Sequence, residues 1–181
     1  MCNNTKQKIA ATLRQMMATR SFDKITVKNL MDASNMQRQS FYYHFQDTRD
    51  VLIYICREEL FLPLLQSPLP FHDWMIQALK LIDSDRKFYQ KAISLIPVDF
   101  IREMTEQVVF PRLCLLLYGN APQQHLDENR RFVADLLANA IVNHCVRFSN
   151  SHEPLDVTDA RNKLQFLVGE LKTGCGHEFI G

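Results

Sequence analysis

The sequence predicts an all-α fold of about nine helices, with an N-terminal three-helix helix-turn-helix unit ahead of a C-terminal helical bundle. Three observations lead there. The first 62 residues contain neither glycine nor proline, and all five glycines lie at position 119 or later. Apolar residues recur at three- and four-residue spacing, the period of a helix with one buried face. No β-branched alternating run and no Asn-Gly or Asp-Gly hairpin turn occurs.

The first helix is expected over about 5–19, where Ile9, Leu13 and Met17, with Ala10 and Met16, make one apolar stripe. Ser21-Phe22-Asp23-Lys24 reads as a turn. Thr26 is placed to N-cap a second short helix whose inner residues are Val27, Leu30 and Met31. Ala33-Ser34-Asn35-Met36 breaks the pattern, and Asn tolerates the left-handed conformation that such a break needs. A third helix follows, about 37–45, with Phe41 and Phe45 facing inward. Asp47 and Thr48 can cap a fourth, which runs through Val51, Leu52, Ile55 and Leu60 and is expected to stop at Pro63.

Pro63, Pro68 and Pro70 mark a linker. Five helices are expected beyond it, at about 71–83, 85–95, 97–118, 127–150 and 156–173. Asp83 and Asp85 stand at a helix boundary, where capping explains them. The tail from Gly174 to Gly181 is expected to fray. The domain reading is 1–48 for the first unit and 49–181 for the second, with 49–62 as a connecting helix.

With 181 residues, 46% hydrophobic and 23% charged, the chain is long enough to bury a core and ordinary in composition. A disordered chain, a collagen and a coiled-coil rod are excluded. The longest apolar runs are far short of the roughly 20 residues that span a bilayer, and no secretory h-region opens the chain. A cytoplasmic protein with no membrane partner is expected. Five cysteines at 2, 56, 114, 145 and 175, with no CxxC pair, fit reduced thiols. Charge is uneven. Residues 1–50 carry eight Lys/Arg against four Asp, a net of +4, and the remaining thirteen Lys/Arg and sixteen Asp/Glu make −3. A basic head on an acidic body fits a polyanion partner, or equally a solvated basic face.

The informative stretch is Thr26 to Phe45, TVKNLMDASNMQRQSFYYHF. Two short helices joined by a tight turn make a helix-turn-helix. Gln37, Arg38, Gln39, Ser40, Tyr42, Tyr43 and His44 form the outer face of the second helix; all can hydrogen-bond and none is acidic. Arg suits guanine O6/N7, Gln suits adenine N6/N7, and hydroxyls and imidazoles reach phosphates. A merely solvated face is the alternative, but it accounts poorly for two adjacent tyrosines and a histidine.

These residues resemble the N-terminal domain of the TetR family of bacterial transcriptional regulators. The Phe41-Tyr-Tyr-His-Phe45 end of the reading helix is the most specific part, and the resemblance covers about 5–60. It implies a homodimer on a near-palindromic double-stranded DNA operator, with a C-terminal regulatory bundle dimerised by the last two long helices. By that resemblance, Gln37, Arg38, Gln39 and Tyr42 are candidates for base-edge contacts. Thr26, Lys28, Tyr43, His44 and Arg49 are candidates for phosphate. Phe41 and Phe45 pack the core. The chain departs from the family in having Asn35 where glycine is usual, Gln37 where Ser or Thr is usual, Gln39 where a small residue is common, and Thr48-Arg49 where a lysine opens the fourth helix. Arg38-Gln-Ser-Phe-Tyr42 and Lys87-Phe-Tyr-Gln-Lys91 are similar to the dihydroxyacetone-kinase operon regulators, some of which act as activators with a partner protein.

In the bundle, aromatic residues read first as core. A small effector would sit between helices, and the candidates for lining such a pocket are Trp74, Phe88, Tyr89, Phe100, Met104, Phe110 and His144. The helix at 127–150 is apolar around most of its circumference, which predicts burial on two sides. Candidate dimer residues are Phe132, Leu136 and Ala140 there and Leu164, Leu167 and Leu171 on the last helix. Asn139, Asn143 and His144 read as buried polar groups needing partners. His144-Cys145 and Cys175-Gly-His177 lack the spacing for four metal ligands, so no metal and no cofactor is expected. No GxSxG, P-loop, GxGxxG or HExxH motif occurs, and no enzyme is expected. The functional expectation is a DNA-binding repressor controlled by a small effector. The alternatives are a co-activator acting through a protein partner, and a protein-binding adaptor that has lost DNA binding.

Overall fold

The structure is a computed structural model that describes residues 2–119 and 126–174. Among these residues it contains helices and no strand. We number nine. They are α1 Cys2–Thr19, α2 Val27–Ser34, α3 Arg38–Tyr42, α4 48–66, α5 Phe71–Ser84, α6 Arg86–Ile93, α7 98–118, α8 Glu128–Asn150 and α9 Val157–Gly174. Cys175, His177 and the tail expected to fray lie outside the described residues, as does most of the break at 119–122.

Helices α1–α3 form a head. Ile9, Leu13 and Met17 of α1 are buried against Leu30 and Met31 of α2, Phe41 of α3 and Val51, Leu52 and Ile55 of α4. The same core continues without interruption into the body, through Phe61, Trp74, Met75, Phe88, Tyr89, Phe100, Val109 and Leu113 to Ala138.

Pro63 does not stop α4. The helix makes a π turn over Arg57–Phe61 and continues as an α-helix over Leu62–Gln66. Helix α7 repeats the device, with a π turn over Thr105–Val109 followed by Pro111. Proline in a helix lacks an N–H and presses on the carbonyl four residues back. A π turn, bonded at five-residue spacing, relaxes that crowding. In α4 the Leu62 N–H donates to the Arg57 carbonyl, and in α7 the Phe110 N–H donates to that of Thr105. Tertiary packing then favours continuation: Leu60, Phe61 and Leu64 are buried, and the Trp74 indole N–H donates to the Leu64 carbonyl at 3.0 Å.

Arginines fasten the joints of the body. Arg112 stacks on Trp74 and donates to the carbonyls of Ser67 and Leu69, holding the proline-rich strap between α4 and α5. Arg86 stacks 4.2 Å over Phe148 and donates to carbonyls just past the end of α8. Arg161 of α9 pairs with Asp73 of α5 at 2.6 Å. Asp85 caps α6, accepting from the Phe88 N–H at 3.3 Å.

Helix α8 corrects one expectation. Asn139, Asn143 and His144 are exposed on this chain, not buried. Asn139 and Asn143 share a face with Phe132 and Leu136, which are 64% and 55% exposed, while His144 lies to one side. The opposite face, through Ala134 and Ala138, is buried in the bundle. A single chain therefore buries one side of α8 only.

Candidate nucleic-acid interface

The local sequence explains how the head presents α3. Thr26 N-caps α2, its hydroxyl accepting from the Asn29 N–H at 3.2 Å and donating to Asn29 Oδ1 at 2.7 Å. The Asn29 side chain answers by accepting from the Thr26 N–H at 3.3 Å. That reciprocal box satisfies two N–H groups at the helix start. Helix α2 ends at Asn35, in the left-handed conformation at φ 52. The Met36 N–H then donates back to the Met31 carbonyl at 3.0 Å, which closes a Schellman-type turn. Asn35 thus does the work of the glycine usual at this position.

Helix α3 is shorter than expected, Arg38–Tyr42 with a turn leading to Phe45. Its inner edge is rigid. Phe41 is fully buried, and its ring lies 5.8 Å from that of Phe45. Phe45 in turn meets Tyr54 of α4 edge-on at 5.6 Å. Lys6 of α1 caps this cluster, its ammonium 5.8 Å from the Phe45 ring and 5.5 Å from the Tyr54 ring. Two other helices, α1 and α4, therefore hold the base of α3 in one orientation.

The outer residues divide by helical spacing. Arg38 with Tyr42, and Gln39 with Tyr43, form two exposed ridges; Tyr42 is 61% and Tyr43 79% exposed. Each tyrosine offers a ring and a hydroxyl to whatever meets this face. Gln37 is exposed at the helix start and makes no side-chain cap bond. Ser40 and His44 are half-buried on the flank, and the His44 ring packs edge-on against Tyr43 at 4.9 Å. Thr26, Lys28 and Arg49 are exposed at the starts of α2 and α4. Asp47 caps α4 by accepting from the Asp50 N–H at 2.8 Å, which directs one nearby carboxylate into the backbone. The face is cationic and rich in donors, as groove and phosphate contacts require.

Two concave features of the body bear on the candidate pocket and dimer residues. An interior cavity of about 70 Å³ lies among α4, α5, α6, α7 and α8. Of the candidate pocket residues, Trp74, Tyr89, Phe100 and Met104 line it, together with Cys56, Leu60 and Cys145, which sequence reasoning did not place. Burial pushes both thiols up to about 12, so both stay protonated. Three expected residues lie elsewhere. Phe88 faces α1 beneath Arg14, Phe110 lies near Arg131, and His144 borders the second feature. That second feature is an open groove of about 550 Å³ among α5, α8 and α9. Of the candidate dimer residues, Ala140, Leu164, Leu167 and Leu171 line it, while Phe132 and Leu136 stand outside it. Among the described residues no three His, Cys, Asp or Glu side chains are grouped to hold a metal ion. No described helix is long and apolar enough to cross a membrane.

No family model matches the chain. Over 90 residues it is 27% identical to the HTH-type dhaKLM operon transcriptional activator DhaS of Lactococcus lactis subsp. lactis (strain IL1403), an alignment covering 48% of each protein. The chain thus matches about half the length of that curated relative. Two solved structures share its architecture almost end to end. A dihydroxyacetone kinase operon activator DhaS superposes with a TM-score of 0.60 at 19% identity, over 91% of this chain and 96% of the other. A TetR-like transcriptional regulator from Rhodococcus sp. RHA1 superposes with a TM-score of 0.56 at 14% identity, over 94% and 96%.

Proposed function

We propose that this chain, which has the TetR-like fold and is similar to the DhaS activator, is a sequence-specific DNA-binding transcriptional regulator. One observation carries the reading: Arg38, Gln39, Tyr42 and Tyr43 stand exposed on a short helix whose base is locked by Phe41, Phe45 and Tyr54. Base readout needs side chains at fixed angles to the groove, and a rigid base provides them. Gln37, Arg38, Gln39 and Tyr42 meet base edges. Lys28, Tyr43 and Arg49 meet phosphates, and Thr26, Ser40 and His44 border them.

The regulator works as a homodimer, one head per half-site about one helical turn apart. Phe132, Leu136 and Phe166, the last 70% exposed, supply the apolar surface that a partner subunit would cover. The body transmits a signal to the heads, from a small effector or from a protein co-regulator. No catalytic role is assigned. The similar Lactococcus protein is an activator, so activation stands beside the repression that the sequence predicts.

Selection of bound duplexes from a random library tests the reading. A dyad-symmetric motif is expected. Absence of binding even at low salt overturns it and favours a protein-binding adaptor.

A further inference from the structure

One arginine of the head is shared between two carboxylates of the body. Arg14 projects from α1. Its guanidinium lies 3.9 Å from the centre of the Phe88 ring of α6. One nitrogen, Nη1, donates to Asp85 Oδ2 at 2.5 Å, and the other, Nη2, to Glu59 Oε2. Asp85 is the N-cap of α6, and Glu59 lies within the π turn of α4. Three elements therefore converge on one planar cation. Two directed bonds and a stacked face orient the planar guanidinium in a way a lysine ammonium cannot reproduce.

A second tie lies on the same pair of helices. Lys91 of α6 donates from Nζ to the Met17 carbonyl near the end of α1, at 2.7 Å. Lys91 makes one bond, whereas the Arg14 fork makes two, to carboxylates on two different helices. Glu59 connects further inward. It accepts from the Tyr89 hydroxyl at 3.5 Å, and Tyr89 lines the interior cavity. Cys56 and Leu60, on either side of the Arg57–Glu59 stretch, line the same cavity. Glu59 itself is held above the ordinary carboxylate range, because loss of water outweighs the attraction of Arg14. It sits where the helix has already left α register.

We infer that Arg14 is the positioning residue that sets the angle of the DNA-binding head on the body, and with it the half-site spacing the dimer accepts. This rests on the reading of the head as DNA-binding. Arg14 touches no base. It acts through the orientation of α1, on which α2 and α3 pack. A change in the cavity wall, which Tyr89 lines, reaches the head by altering how Glu59 meets Arg14.

The test uses full-length protein with Arg14→Met, which keeps the apolar stem but loses the fork, and with Arg14→Lys and Asp85→Asn. Head angle is read by pulsed electron paramagnetic resonance between spin labels on unnatural amino acids at Gln46 and Glu106, both exposed. Labelled chains are diluted with unlabelled ones, so the distance is within one chain and requires neither DNA nor a dimer. Spacing selectivity is read as the affinity ratio between the selected operator and versions with one or two base pairs inserted between half-sites. The expected result is a narrow wild-type distance that broadens in Arg14→Met. With it, selectivity falls about tenfold, the scale of one lost charge-assisted bond, while affinity for an isolated half-site is unchanged. Arg14→Lys should restore neither, since it cannot hold both carboxylates. An unchanged distance and unchanged selectivity in Arg14→Met overturn the inference, as does full rescue by Arg14→Lys. If Arg14→Met does not fold, Arg14→Lys and Asp85→Asn carry the same two readouts. If the wild type binds no DNA, the functional reading fails by itself, and the distance measurement still decides the role of Arg14.

Discussion

Arg57 of α4 and Glu103 of α7 form a two-point ion pair, with Nη1 to Oε1 at 3.0 Å and Nη2 to Oε2 at 2.7 Å. The pair joins the only two helices described that carry π turns, just at the first turn and just ahead of the second. Arg57 also stacks 4.9 Å from the centre of the Phe61 ring and 5.4 Å from that of Phe100. The hydrogen bonds from Arg57 hold the Glu103 carboxyl below its ordinary value. A depressed carboxylate stabilises the fold above its unfolded pKa, and that contribution disappears as pH falls through the folded one. Replacing Glu103 with Gln should therefore lower stability at neutral pH by less than about 1 kcal/mol, the pair being partly solvated. The difference should close below about pH 4, where carboxylates protonate. Urea denaturation of both proteins across pH 3–7 checks this.

Asn35 holds a left-handed conformation at φ 52. Residues with a Cβ carry roughly 1 kcal/mol of strain there, asparagine less than most. Asn35→Ala should cost about 1 kcal/mol, a fall of roughly 2–4 °C in Tm for a chain of this size. Asn35→Gly should be neutral or slightly stabilising. Calorimetry on the pair separates backbone strain from loss of a side-chain contact.

Arg38 and Lys28 should differ in kind. Arg38→Ala should cost about 1–3 kcal/mol on the best operator and relax preference at one base position. Lys28→Ala should weaken all sequences alike and reduce the salt slope by about one. Titrations on matched and mismatched duplexes at several salt concentrations distinguish them. Uniform loss from Arg38→Ala would move that residue to phosphate.

Phe132 and Leu136 are exposed on one face of α8, one helical turn apart. Leu136→Glu leaves the chain's own core untouched but places a charge where a second subunit would pack. Analytical ultracentrifugation should show a folded monomer in place of a dimer. A dimer of unaltered affinity would place the subunit contact elsewhere.

The helical period made α1, α2 and the core pair Phe41 and Phe45 legible, because each helix buries its own stripe whatever its partner. The capping role of Thr26 and the left-handed Asn35 are equally local. The character of the outer face of α3 followed from residue types alone. Other features lay beyond such reasoning. Proline chemistry predicted a stop at Pro63; only the packing of Leu60, Phe61 and Leu64, with the Trp74 bond to the Leu64 carbonyl, carries α4 through it by way of a π turn.

Which aromatics share the cavity was likewise decided in three dimensions. Phe88 and Tyr89 are neighbours in sequence, yet Tyr89 faces the cavity while Phe88 lies under Arg14. Arg14 itself carried no signal, since its carboxylates stand 45 and 71 residues away. The sequence by itself determined the helices, their buried stripes and the donor-rich surface of α3, because these depend on spacing within a few residues. The tertiary structure alone decided how the head is angled on the body, where the cavity lies and which face of α8 stays open. Those depend on the crossing of helices far apart in the chain, and no local period encodes it.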